Sequence, residues 1–258
     1  MSIIINQTFP GSTLRKSTSY KSQILATPGL VGWWKSGVGE SAASGHLASW
    51  TDVVSGAVAG NTSGSGNRPS IVTGAANGYN GYLYDGVSQR ASFPMTGDGV
   101  FAGDFTIVSI FTAPFQSGSD DAFLLSTYSG GNIGTMLWTR ASTGMLYFKH
   151  GAGQTQAAFT PNTLSIAIFG HSAQTIAGRL NGVTATRVGS DDAHGTGTWL
   201  LSGALAQTGS SAVATPCIKT DVELMIFNTD VLWNQATVDL LERYAADPRV
   251  YGVTLANS

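Results

Sequence analysis

The chain has 258 residues, a formal net charge of −2, 42% hydrophobic residues and only 11% charged residues. That length allows one large β domain or two small ones, and the charge balance leaves no basic field to hold a nucleic acid by neutralising its phosphates. Cys217 is the only cysteine, which excludes an internal disulfide and argues against a Cys-based zinc site; no stretch approaches the ~18 apolar residues of a membrane-spanning helix.

In chain order, residues 1–28 come first and are basic: Arg15, Lys16 and Lys21 all precede the first acidic residue, Glu40. A short strand at 3–5 and a turn at Phe9-Pro10-Gly11 are expected, followed by an extended arm that Pro28-Gly29 ends. Arg15, Lys16 and Lys21 would dock such an arm on an acidic partner. The three isoleucines at 3–5 are too short a run for the apolar region of a secretory signal.

The stretch PGLVGWWKSG, residues 28–37, sets two tryptophans side by side. Neighbours on a strand point to opposite faces, so Trp33 and Trp34 cannot share one core. One ring is expected inside a sandwich, the other under a helix or the arm. Residues 55–67, rich in Gly, Ser and Asn, read as a surface loop. Strands are predicted at 104–112, apolar on both faces, and at 122–127, 133–138, 144–149, 164–169, 176–181 and 183–187. Asn181-Gly182 between the last two is a type I′ hairpin signal. A final strand alternates Val222, Leu224 and Ile226 with Asp221, Glu223 and Met225, which puts Asp221 and Glu223 on one face, as a solvent-facing pair. Asn234 then caps a helix whose Val238, Leu241, Tyr244 and Ala245 form an apolar stripe, and Pro248 stops it. Short strands at this spacing predict an all-β sandwich or barrel.

Four stretches, in order, resemble the concanavalin A-like jelly roll in its laminin G-like form. They are Gly29-Leu30-Val31-Gly32-Trp33-Trp34 with Ser49-Trp50-Thr51-Asp52; Arg68-Pro69 with Leu83-Tyr84-Asp85-Gly86; Gly103-Asp104-Phe105-Thr106-Ile107-Val108; and Glu223-Leu224-Met225-Ile226-Phe227-Asn228 with the helix that follows. The resemblance implies an all-β jelly-roll sandwich over 29–258 with one C-terminal amphipathic helix, preceded by the arm at 1–28. Domains of this kind occur in phage structural proteins, bacterial surface proteins and carbohydrate-active enzymes. The short arm and the missing signal region favour a phage virion protein, a head decoration, fibre or tail component made in the host cytoplasm. On this expectation the protein is non-enzymatic and homo-oligomeric. It is anchored to other virion proteins by its arm, inserts in no membrane, and displays a lectin-like surface to host glycans. A free carbohydrate-binding module is the alternative, and a polysaccharide-degrading enzyme is a third.

The chemistry-bearing residues are sparse. Glu40, Glu223 and Glu242 are the only glutamates, and none falls in the Glu-x-Asp-x-Glu spacing of glycosidases on this fold. No G-x-S-x-G elbow is present, and His46, His150, His171 and His194 are scattered. Asp120-Asp121 and Asp191-Asp192 lie in Gly/Ser-rich stretches where hard oxygen ligands could hold Ca²⁺, the one cofactor that the sequence suggests. Sugar rings stack on aromatic faces. Tyr79, Tyr82, Tyr128, Trp138 and Trp199 are the expected exposed rings, and Trp199, His194, Tyr128 and Trp138 the expected glycan contacts.

Overall fold

A computed structural model describes residues 19–60, 67–86, 88–94, 103–115, 121–129, 132–189, 199–202 and 218–256. Helix α1 (Tyr20–Leu25) precedes β1 (Leu30–Lys35), β2 (Glu40–Ala43), β3 (His46–Thr51) and β4 (Val58–Gly60). Then come β5 (Ser70–Ala76), β6 (Tyr79–Asp85), β7 (Ala91–Pro94), β8 (Phe105–Thr112), β9 (Asp121–Ser129), β10 (Asn132–Arg140), β11 (Met145–His150) and β12 (Gly153–Ala158). Strands β13 (Ser165–Ser172), β14 (Thr175–Leu180), β15 (Val183–Val188), β16 (Trp199–Ser202) and β17 (Ile218–Phe227) follow. A single 3-10 turn at Val231–Trp233 leads to helix α2 (Gln235–Ala246).

The pairings are antiparallel and make two layers. In the first, β17 lies between β8 on one side and β1 and β6 on the other, and β13, β14 and β15 extend it beyond β8. In the second, β3, β4, β7, β16, β9, β10, β11 and β12 follow one another. One apolar core fills the space between the layers, with Trp34, Phe105, Ile107, Phe111, Phe169 and Leu224 from the first and Phe93, Leu124, Leu137, Leu146 and Phe148 from the second. A second core lies on the outer face of the first layer, where Val108, Ile110, Ile168, Met225 and Phe227 meet Val238, Leu241 and Tyr244 of α2. The first layer is therefore covered on both sides, which is why β8 is buried at every position but its last.

Trp33 and Trp34 divide as the period of a strand demands. Trp34 enters the core between the sheets and packs edge-on against Phe93, while Trp33 belongs to the core under α2. The predicted hairpin also forms: Asn181 and Gly182 take φ 47° and 89° between β14 and β15. Asn234 caps α2 by accepting from the Thr237 N–H, and the helix ends two residues before Pro248. The stretch expected as an extended arm differs over its described part. Residues 20–25 form α1, capped by Ser19, with Ile24 fully buried against the α2 side. The three apolar or aromatic positions Tyr20, Ile24 and Leu25 sit at helical spacing, and Ile24 gains more from that core than an extended tail would. The strand expected at 3–5, and Arg15 and Lys16, lie outside the described residues; Lys21 is exposed on α1.

One correction changes the site. Asp221 and Glu223 do not share a face, and both are buried. In the pairing with β8, Asp221 opposes Phe111 and Glu223 opposes Ile110, so Val222 is an extra residue, a bulge. A bulge breaks the period of two. Asp221 therefore turns to Lys219, whose ammonium lies over Tyr84 of the inter-sheet core, and Glu223 turns outward beneath α2.

Candidate functional site

The bulge aims Glu223 into a seam between the outer face of β1 and β17 and the C-terminal helix. Register places Lys35 of β1 directly opposite Glu223, with Trp33 two residues earlier on the same face. Trp33 Nε1 donates to Glu223 Oε1 at 2.5 Å. Tyr244 Oη, from α2, donates to the two carboxylate oxygens at 3.0 and 2.8 Å, and Tyr251 Oη donates to Oε2. Lys35 Nζ lies 3.5 Å from Glu223 Oε2 and donates to the Tyr244 hydroxyl. It also sits over four rings, at 5.7 Å from Trp33, 5.4 Å from Tyr79, 5.0 Å from Tyr244 and 5.3 Å from Tyr251. Cations over aromatic faces gain electrostatically, most where water is excluded.

Burial pushes the Glu223 carboxyl up from its ordinary range, against the pull of Lys35 and of the hydrogen bonds from Tyr251, Trp33 and Tyr244. The Tyr244 and Tyr251 hydroxyls are also pushed up, first by burial and then by the negative charge of Glu223. A buried carboxylate with three donors and a cation is well satisfied. The seam is closed, so it stores polar bonds and does not offer them to a ligand.

Above the seam the surface opens. Tyr20 of α1 packs edge-on against Tyr244 and helps line an open pocket of about 420 Å³, with Arg243, Ala246, Asp247, Pro248 and Arg249 as its other walls. Arg249 grips Asp247 through two bonds, Nε–Oδ1 at 3.0 Å and Nη2–Oδ2 at 2.7 Å. That grip, with the Arg249 backbone N–H, draws the Asp247 carboxyl down to about 2. Arg243 gives its Nε to the Asp239 carbonyl at 3.0 Å. Its terminal nitrogens meet no acceptor among the described residues. The pocket thus offers a ring, two apolar side chains, a fixed carboxylate and guanidinium donors. Sequence reasoning missed it, because Tyr20 and Arg249 are more than two hundred positions apart. The helix stripe ending beside two arginines was the one available hint.

The expected site residues scatter over other parts of the fold. Trp138 is buried, not exposed, with its ring 4.9 Å from that of Tyr147 at an interplanar angle of 14°. The two are direct cross-strand partners, so each ring covers the other. Tyr82 is fully buried as well, and Tyr79 packs on Tyr251. Trp199 and Tyr128 do come together along the backbone, since Trp199 opens β16 and the next residue, Leu200, pairs with Thr127 of β9. His194, Asp191, Asp192 and Asp120 lie outside the described residues. Asp121 is held by Arg140, Nε–Oδ1 at 2.6 Å and Nη2–Oδ2 at 3.0 Å. Among the described residues no group of three or more His, Cys, Asp or Glu side chains is placed to hold a metal. Two histidines expected to be scattered are neighbours. His150 is buried, bonds Thr135 at 2.9 Å and lies 4.6 Å, centroid to centroid, from His171. All three glutamates are engaged: Glu40 with the Gly37 N–H and Asn80, Glu223 in the seam, and Glu242 with Arg179, which ties α2 to β14.

No family model matches this chain, and no curated protein matches it. Solved structures match in fold. A sialidase of Trypanosoma rangeli in complex with sialic acid superposes with a TM-score of 0.63 at 15% identity, covering 87% of this chain and 34% of that one. The receptor binding domain of botulinum neurotoxin D gives 0.57 at 7% identity, over 84% and 53%. The binding domain of botulinum neurotoxin serotype C1 gives 0.53 at 8%, over 80% and 52%. This chain therefore spans about a third of the sialidase chains and half of the toxin domains. These likenesses establish a jelly-roll-like β-sandwich. They also correct the expectation of a non-enzymatic protein, because this sandwich occurs within chains that are enzymes. At such identity the likeness carries the fold and no activity. Nothing in these comparisons supports the expected virion origin.

Proposed function

We propose that this chain is a carbohydrate-binding sandwich whose binding site is the pocket between α1 and the end of α2. The observation that carries it is the pocket's lining. Sugars are bound by an apolar ring face together with a few fixed planar polar groups. Tyr20, Ala246 and Pro248 supply the first, and Asp247, held rigid by Arg249, with Arg243 supplies the second. The fold agrees with this: the solved structures that share it include sialidases and toxin receptor-binding domains.

A glycan array probed with the full chain tests the reading. Binding to at least one glycan class, lost in Tyr20→Ala while the thermal midpoint is retained, is the expected result. Binding to no class sinks it. The basic residues Arg15, Lys16 and Lys21, and with them a homo-oligomer assembled through the N-terminal segment, remain a proposal beside it. Light scattering of the full chain and of residues 19–258 carrying Lys21→Ala decides that point, since loss of all three basic residues should leave a folded monomer if they assemble the oligomer.

A further inference from the structure

We infer that the pocket selects a carboxylate-bearing sugar, of the uronic-acid class, and that Arg243 is the residue that reads the carboxylate. This rests on the carbohydrate-binding reading and narrows it. The argument begins with charge. Two guanidiniums and one carboxylate line the pocket. Asp247 and Arg249 neutralise each other in a two-bond pair. Arg243 has no such partner among the described residues: its bond there is from Nε to a backbone carbonyl, and its terminal nitrogens meet no acceptor. Among the described residues of the lining, one cation is left without a carboxylate partner.

The helix end does not cancel it. A helix C-terminus disfavours anions through its free carbonyls. Here the carbonyls of Arg243, Ala245 and Asp247 accept from the N–H groups of Asp247, Val253, and Val250 with Gly252. Two of the last four helical carbonyls, those of Arg243 and Ala245, are thereby taken, which reduces the negative end that the guanidinium must outweigh. A planar guanidinium matches a planar carboxylate in two parallel bonds. A single positive charge suits a monoanion better than a phosphate dianion, whose second charge would face Asp247. The rest of the ligand meets Tyr20 and Pro248, a wall that suits the C–H face of a sugar ring and offers little to a free small anion.

Titrating the full chain with glucuronate, glucose and acetate at matched ionic strength, followed by NMR shifts of the pocket residues, tests the inference. Glucuronate should bind about tenfold or more tightly than either glucose or acetate, the discrimination expected of a charge-assisted pair added to ring contact. Arg243→Gln should bring the ratio of glucuronate to glucose affinity down from about tenfold to about one, while Arg243→Lys should restore part of that ratio. Arg243 is exposed, so these variants fold, and their thermal midpoints verify it. Equal affinity for glucose and glucuronate overturns the acidic-sugar inference and leaves the carbohydrate reading standing. Equal affinity for acetate and glucuronate makes the pocket an anion site without sugar recognition and overturns both. No shift in the pocket residues with any of the three, up to the solubility limit, overturns the inference, and the glycan array then decides the broader reading separately.

Discussion

Glu223 is the residue on which most of the seam's energy turns. It is buried, accepts from Trp33, Tyr244 and Tyr251, and faces Lys35. Glu223→Leu keeps the volume roughly and strands three donors and a cation. It should cost about 3–5 kcal/mol, the loss expected when one partner of a buried pair is removed, and urea unfolding monitored by tryptophan fluorescence measures it. The pH sign follows from the raised carboxyl. A carboxyl raised in the fold favours the neutral form, so its contribution is full below the ordinary carboxylate range and fades as pH rises through the raised value. Lys35 is the largest effect opposing that rise. Lys35→Met should therefore destabilise the protein more at neutral and alkaline pH than at mildly acidic pH, and a difference of the opposite sign in urea midpoints would refute the assignment. At this scale the sequence was half legible. Two adjacent tryptophans had to face two different layers, and they do. The Glu223 partners were hidden, because Lys35, Tyr244 and Tyr251 meet it only through strand register and helix docking.

At the scale of elements, the C-terminal helix and the short N-terminal one are a single packing unit on the outer face of the sheet. Tyr20 and Ile24 pack with Tyr244 in the same core. A chain of residues 19–258 is the reference against which the contribution of α1 is measured. Deleting residues 1–28 removes Ile24 from its site and should cost about 2 kcal/mol or more, from the lost apolar burial of one large side chain and what it covers. Calorimetry of the two truncations checks this, and equal midpoints would place α1 outside the folded unit. Asn234→Ala should lower stability by about 1 kcal/mol through loss of the α2 cap. Helix α2 was readable from its cap, stripe and stop. Helix α1 was not, since six residues carry too little periodicity to outweigh a polar, basic context, and its helicity depends on the core that Ile24 enters. The Asp221–Glu223 bulge was unreadable for a related reason: alternation in one strand assumes an unbroken ladder, and the break is set by β8.

For the whole molecule, composition and short apolar runs sufficed to narrow the fold to an all-β sandwich or barrel with one late helix, and the resemblance to the laminin G-like jelly roll chose the sandwich. Low charge, frequent turn signals and β-branched runs permit few other ways of burying this much apolar surface. That narrowing follows from local periodicity, which is written residue by residue. The pocket, the seam and the exposure of each ring were decided only by tertiary structure. Trp138 is stacked under Tyr147 because two strands pair in one register, and Tyr20 and Arg249 line one pocket because α1 and the segment after α2 fold onto one face of the sheet. A binding surface is a juxtaposition of distant residues, and a sequence states the residues without the distances between them.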